Sequence, residues 1–191
     1  MKEENRKFTP QEYFDLENNS KILHEYFNGQ LQTRSESTMR HNMMVQNVAF
    51  ALRGQVKGRS CAIFTEMIKL EVVPGRHYVY PDVMLTCNTD DLKDGLIVRN
   101  PFLVAEVLAA GTEGFDKGLK FNNYLKMPSL QCYLLIAQHQ YLVECYERTP
   151  QGWLYRTFED LAEVIELSLM NLEFTMASIY EGVALSEEEA Q

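Results

Sequence analysis

Two acids stand in short β-type runs, Asp82 within Tyr80-Pro81-Asp82-Val83-Met84-Leu85 and Glu106 within Pro101-Phe102-Leu103-Val104-Ala105-Glu106-Val107-Leu108. A carboxylate inside an apolar run is costly to bury unless something pairs with it or binds it. Held on neighbouring strands, the two would offer hard oxygen donors of the kind Mg²⁺ or Mn²⁺ takes beside a substrate phosphate, and the Val107 carbonyl could add one more. Asp116, Lys120 and Tyr124 follow at i, i+4 and i+8, which predicts one face of a helix with the favourable Asp-to-Lys order. Lys120 would then stabilise charge developing on a phosphate. Lys117 points about 60° away from it at 100° per residue, so Lys120 is the better candidate. Hydrolysis of a phosphate ester is the chemistry this set suits. The plainer alternative is a pair of solvent-face acids and a surface ion pair beside a packing tyrosine.

Such a site needs elements to position it. Thr9-Pro10-Gln11-Glu12 ahead of Tyr13, Phe14 and Leu16 predicts a capped helix start, with Thr9 as N-cap and Glu12 reaching back. The run 22–27 predicts a strand that turns at Asn28-Gly29 into 30–33, which places Glu25 near a hairpin end. Val45, Val48, Leu52 and Val56 recur at helical spacing and predict a core-packing helix over 41–57, stopped by Gly58. Strands are expected over 60–64, 67–73 and 102–108, with a continuous run 78–85 carrying Asp82. From Thr112 the period becomes helical until Met127-Pro128. Strands over 131–137, 142–146 and 153–158 and a helix over 175–180 complete the pattern, an α/β (α+β) chain around one mixed sheet.

At 191 residues the chain is expected to form one domain over 1–185, ending in an acidic stretch, 186–191, that should fray. With 46% hydrophobic and 24% charged residues and a mean hydropathy of -0.28, it matches an ordinary globular protein. No apolar run approaches the roughly 20 residues of a membrane span, and the polar start has no signal-peptide core, so a cytoplasmic location is expected. Cys61, Cys87, Cys132 and Cys145 show no C-x-x-C and lie in apolar or strand-like runs, which suggests reduced core thiols. The histidines form no H-E-x-x-H, which removes support for zinc hydrolase chemistry. The net charge of -9 argues against a broad basic nucleic-acid face but leaves room for a local groove.

Taken together, Pro81-Asp82-Val83, Leu103-Val104-Ala105-Glu106-Val107-Leu108, Thr112, Asp116-x-Gly118-x-Lys120, Tyr124 and Ser129-Leu130-Gln131-x-Tyr133 resemble the Uma-two family of endonucleases, within the PD-(D/E)XK restriction-endonuclease-like superfamily. His24-Glu25-Tyr26 with Gly29 is similar to that family's N-terminal acid-and-glycine hairpin, and His41 to the histidine opening its first long helix. The resemblance implies an α-β-β-β-α-β core with an added N-terminal helix and hairpin. It also implies a Mg²⁺-type ion on Asp82 and Glu106, with Glu25 as an extra acid and His41 as an accessory residue. Lys120 would take the role of a lysine that has moved from strand to helix, since the usual position two after the Glu is Leu108 here. Asp116 and Tyr124 would orient Lys120.

The chain departs from the family at Ala109-Ala110-Gly111-Thr112, where relatives usually carry Ser-Pro-Ser-Thr, and at Cys132, where an acid commonly precedes the tyrosine. The expectation is a metal-dependent endonuclease acting on DNA, paired as a homodimer. An inactive nuclease fold kept as a binding or assembly module, or a hydrolase of a small phosphorylated substrate, stays open beside it.

Overall fold

The structure is a computed structural model, and it describes residues 6–34, 37–93, 95–108, 118 and 120–185. Asp116, the segment 109–112 that departs from the family, and the acidic 186–191 stretch lie outside the described residues. In chain order come α1 (Pro10–Asn19), β1 (His24–Phe27), β2 (Gln30–Thr33), α2 (Met39–Gln55), β3 (Ala62–Thr65), β4 (Lys69–Val73), β5 (His77–Val79), β6 (Val83–Thr86), β7 (Ile97–Val98) and β8 (Leu103–Leu108). Then follow α3 (Phe121–Tyr124), β9 (Cys132–Ala137), β10 (Val143–Thr149), β11 (Gly152–Phe158), β12 (Val164–Leu167), β13 (Leu172–Thr175) and α4 (Met176–Ile179).

The described strands form not one mixed sheet but two, with a separate β12–β13 ladder. A five-stranded sheet runs β2-β1-β5-β4-β7, and a six-stranded one runs β11-β10-β9-β8-β6-β3. Within the second sheet β8 lies antiparallel to β6 and parallel to β9, so α2, β3, β6, β8, α3 and β9 supply the α-β-β-β-α-β order.

The expected single strand over 78–85 is cut at Pro81. Proline has no N–H for a ladder, and the chain passes there from β5 in one sheet to β6 in the other. β7, β12 and β13 were not anticipated, because two to four residues show too little alternation to read.

α2 lays Met44, Val45, Val48 and Leu52 on one face of the six-stranded sheet, against Leu85, Leu103, Ala105, Val107 and Leu134. The opposite face, with Met84, Val104, Leu108, Tyr133 and Leu135, packs on Leu70 and Val79 of the five-stranded sheet and on Tyr124. Leu108 is therefore core. The outer face of the five-stranded sheet carries Tyr26 and Tyr78 under Tyr13 of α1. Thr9 and Glu12 cap α1 reciprocally, and Asn28 and Gly29 take the positive φ values, 45° and 96°, that turn the β1–β2 hairpin.

Two of the cysteines correct the expectation of reduced thiols: Cys61 and Cys87 form a disulfide, while Cys132 and Cys145 are free and buried. The bonded pair extends the β3–β6 register, in which Ala62 faces Thr86. That register joins positions 26 residues apart, which no local pattern reveals. No described helix is long and apolar enough to cross a membrane.

Candidate active site

The sheet change at Pro81 leaves two backbone donors without a ladder partner, and an acid takes each of them. The Tyr80 N–H donates to Glu25 Oε1 at 3.3 Å, and the Asp82 N–H donates to Glu106 Oε2 at 3.3 Å. Glu106 projects from β8 on the face that also bears Val104 and Leu108, and β8 pairs with β6 one residue beyond Asp82, Val83 facing Ala105. Adjacent strands thus bring the two acids together from positions 24 residues apart.

Lys120 stands at the start of α3 and is buried, its Nζ 2.9 Å from Glu25 Oε1 and 3.7 Å from Glu106 Oε1. The Tyr124 hydroxyl, one turn on, donates to Glu106 Oε1 at 2.8 Å. Tyr124, expected to orient Lys120, donates to Glu106, and Glu25 is the acid nearest the lysine among the described residues. Burial, reinforced by the charge of Glu106, pushes the Tyr124 hydroxyl well above its ordinary pKa, so it stays a donor.

Asp82 has a second set of partners. Its Oδ2 accepts the Val107 N–H at 2.8 Å and lies 3.2 Å from His41 Nε2, while its Oδ1 accepts from Arg34 Nη2 at 2.6 Å. Burial alone would raise the Asp82 pKa, but the hydrogen bond and charge of His41, then Arg34 and the Val107 N–H, outweigh it and hold the carboxyl below its ordinary value. Burial would lower His41, and Asp82 reverses that, leaving the imidazole above its usual value.

Arg34 is anchored by its Nη1 on the Glu66 main-chain oxygen at 2.8 Å, with its Nη2 3.8 Å from Glu66 Oε1. Glu66 sits just past β3 at φ 50° and is steadied by Ser37 and Asn42. His41, Glu66 and Asp82 each present a ligand atom within 4.8 Å of the others.

The structure therefore brings Glu25, His41, Asp82, Glu106, Lys120 and Tyr124 into one cluster, and Val107 joins it through its N–H. Arg34 and Glu66 escaped sequence reasoning. Arg34 stands one residue past the β1–β2 hairpin and Glu66 in a tight turn, with no periodicity or spacing linking either to Asp82. The one available signal was a charged residue next to a predicted strand end at both places.

The donor set suits a hard divalent ion. Four carboxylates, Glu25, Glu66, Asp82 and Glu106, gather around the basic side chains of Arg34 and Lys120, with the His41 imidazole against Asp82. All four are oxygen donors, as Mg²⁺ and Mn²⁺ prefer.

Comparisons with known proteins agree with this fold. Residues 10–177 match the family model Uma2, described as "Putative restriction endonuclease". Two uncharacterized proteins of Synechocystis sp. are 31% identical over 179 residues, covering 93% of this chain and 94% of the relative, and 32% identical over 167 residues, covering 86% and 94%. A crystal structure of "a putative nuclease belonging to DUF820" from Anabaena variabilis superposes with a TM-score of 0.74 at 17% identity, covering 93% of this chain and 99% of that one. The architecture is restriction-endonuclease-like, with its mixed six-stranded sheet flanked by helices.

Proposed function

This chain belongs to the Uma2 family, and from that premise we propose that it is a metal-dependent endonuclease hydrolysing phosphodiester bonds in DNA. One observation carries the proposal: two buried acids, Asp82 and Glu106, are tied together across adjacent strands, with the Lys120 ammonium 3.7 Å from one of them. Asp82, Glu106 and the Val107 carbonyl would hold Mg²⁺ or Mn²⁺. When bound, the ion supplies an activated water and a Lewis acid for the phosphate.

The protein's own groups do the rest. Lys120 stabilises the negative charge that builds on the phosphate oxygens. Glu25 holds Lys120 in the site, and Tyr124 fixes the Glu106 carboxylate. His41 and the Val107 N–H keep Asp82 ionised and oriented. Asp116, four residues before Lys120, would help to orient the lysine. Exposed Met39, Met43 and Phe50 on α2 offer apolar surface through which two copies could pair to cut both strands.

Cleavage of supercoiled and linear DNA in Mg²⁺ or Mn²⁺ tests the assignment. Loss of cleavage is expected in Asp82→Ala and Glu106→Ala, and activity that survives either substitution sinks it. Sedimentation at several protein concentrations tests the pairing, a monomer throughout counting against it.

A further inference from the structure

We propose that Arg34 is the resident counter-ion of Asp82 and that a divalent ion must displace it to bind, so that the chain's own arginine competes with its metal. The inference rests on the metal assignment above and concerns how the ion gains access to Asp82.

A carboxylate oxygen has two lone-pair positions. On Asp82, Oδ2 already serves the Val107 N–H at 2.8 Å and His41 Nε2 at 3.2 Å. Oδ1 is the oxygen left for an ion, and the Arg34 guanidinium holds it at 2.6 Å, the short separation of a charge-assisted bond. An ion of the Mg²⁺ type sits about 2.1 Å from its oxygen ligands. Placed on Oδ1, it would lie within a few ångströms of the guanidinium, two cations in a buried setting where their repulsion is poorly screened. Sharing is therefore unfavourable, and exchange is the alternative.

The surroundings give the released arginine a place to go. Arg34 Nη1 stays anchored on the Glu66 main-chain oxygen at 2.8 Å, and the Glu66 carboxylate, 3.8 Å from Nη2, can accept the freed N–H groups. Glu66 is itself fixed by Ser37 and Asn42. A short swing moves the guanidinium from Asp82 to Glu66 and leaves a cation at the rim of the site. Arg34 is thus a positioning residue that keeps Asp82 ionised and aligned before the metal arrives.

The test is calorimetric titration of Mn²⁺ alone into the wild-type protein, Arg34→Ala and Arg34→Gln, the last retaining a donor for the Glu66 oxygen should the alanine variant fold poorly. Mn²⁺ is expected to bind both variants at least about tenfold more tightly than the wild type. Guanidinium chloride at sub-denaturing concentration should then weaken Mn²⁺ binding to Arg34→Ala more than NaCl of equal ionic strength does, because the added cation refills the vacated position. Equal or weaker binding in the variants overturns the proposal. A tighter site that guanidinium weakens no more than NaCl also overturns it, since only a through-space charge effect would remain. Mn²⁺ that binds none of the three proteins, or binds Asp82→Asn as well as wild type, overturns the metal assignment itself and this inference with it.

Discussion

The two faces of the five-stranded sheet each bury an acid cluster, and they do so for opposite ends. On the outer face Glu17 of α1 is almost fully covered, its Oε1 accepting the His24 N–H at 3.0 Å and lying 2.8 Å from His24 Nδ1, its Oε2 accepting the Tyr80 hydroxyl. Lys69 lies against the Tyr80 ring at 5.1 Å. One carboxylate there meets three donors and a nearby cation. On the inner face Glu25, Glu106 and Asp82 crowd together around Lys120, Arg34 and His41. Both clusters hang from the same three residues, Tyr80 to Asp82. The difference teaches that a buried acid does not by itself mark a site; several acids gathered from separate elements around shared cations do.

The sharpest way to break that contrast is kinetic. Lys120→Ala should lower the DNA-cleavage rate roughly 10²–10³-fold, the usual cost of removing one charge-stabilising donor, while Mn²⁺ still binds. Lys69→Ala on the outer face should leave the rate unchanged. Equal losses from the two lysines would erase the distinction between the faces.

Next comes stability. Glu17→Gln keeps the shape but places an amide group against the His24 and Tyr80 donors, and breaking such a buried network should cost about 2–3 kcal/mol. Urea unfolding in chelator measures it. A loss too small to detect would mean that the outer cluster does not hold the sheet to α1.

The histidines of the two faces diverge in the same way. His24 has Glu17, whereas buried His77 has no hydrogen-bond partner at either ring nitrogen among the described residues and packs on Phe27. Burial, then the charge of Lys120, lowers the His77 pKa to about 3. Between pH 6.5 and 3 the unfolded chain binds a proton at this residue that the folded one does not. Stability must therefore fall with falling pH across that window, by about 1.4 kcal/mol per unit. His77→Phe removes the liability, so its advantage over wild type should grow toward acid. Parallel stability curves for the two proteins would refute this.

How much of this the sequence disclosed follows the range of the signal. Asp82, Glu106 and Glu25 were visible as acids in apolar strands or a hairpin, and Lys120 and Tyr124 as a one-turn pair, because each signal is local. The family resemblance implies the α-β-β-β-α-β order, whereas periodicity alone yields a helix, a hairpin, a helix, several strands, a helix and further strands. What escaped depends on tertiary pairing: Arg34 and Glu66 reach Asp82 from a hairpin exit and a turn, and Cys61 meets Cys87 through a strand register. Pro81 sits inside what the sequence presents as one β-type run, yet its missing N–H is the cause of the sheet change. The proline is the most informative residue in the motif, since it obliges Glu25 and Glu106 to satisfy the backbone on either side.

The smallest expected effect is also the most discriminating. Glu106→Gln keeps an oxygen for the Asp82 N–H, and the Tyr124 hydroxyl can turn from donor to acceptor for the new amide. Lys120 retains Glu25 at 2.9 Å. The substitution therefore removes one of several crowded negative charges while keeping these contacts. Metal-free protein should gain about 1 kcal/mol, as active sites often do when a functional charge is neutralised, and Mn²⁺ binding should be lost. Glu17→Gln, chemically the same change on the other face of the sheet, should move stability the opposite way. If both substitutions destabilise alike in chelator, the inner acids are as well compensated as the outer one, and their crowding is not felt by the fold.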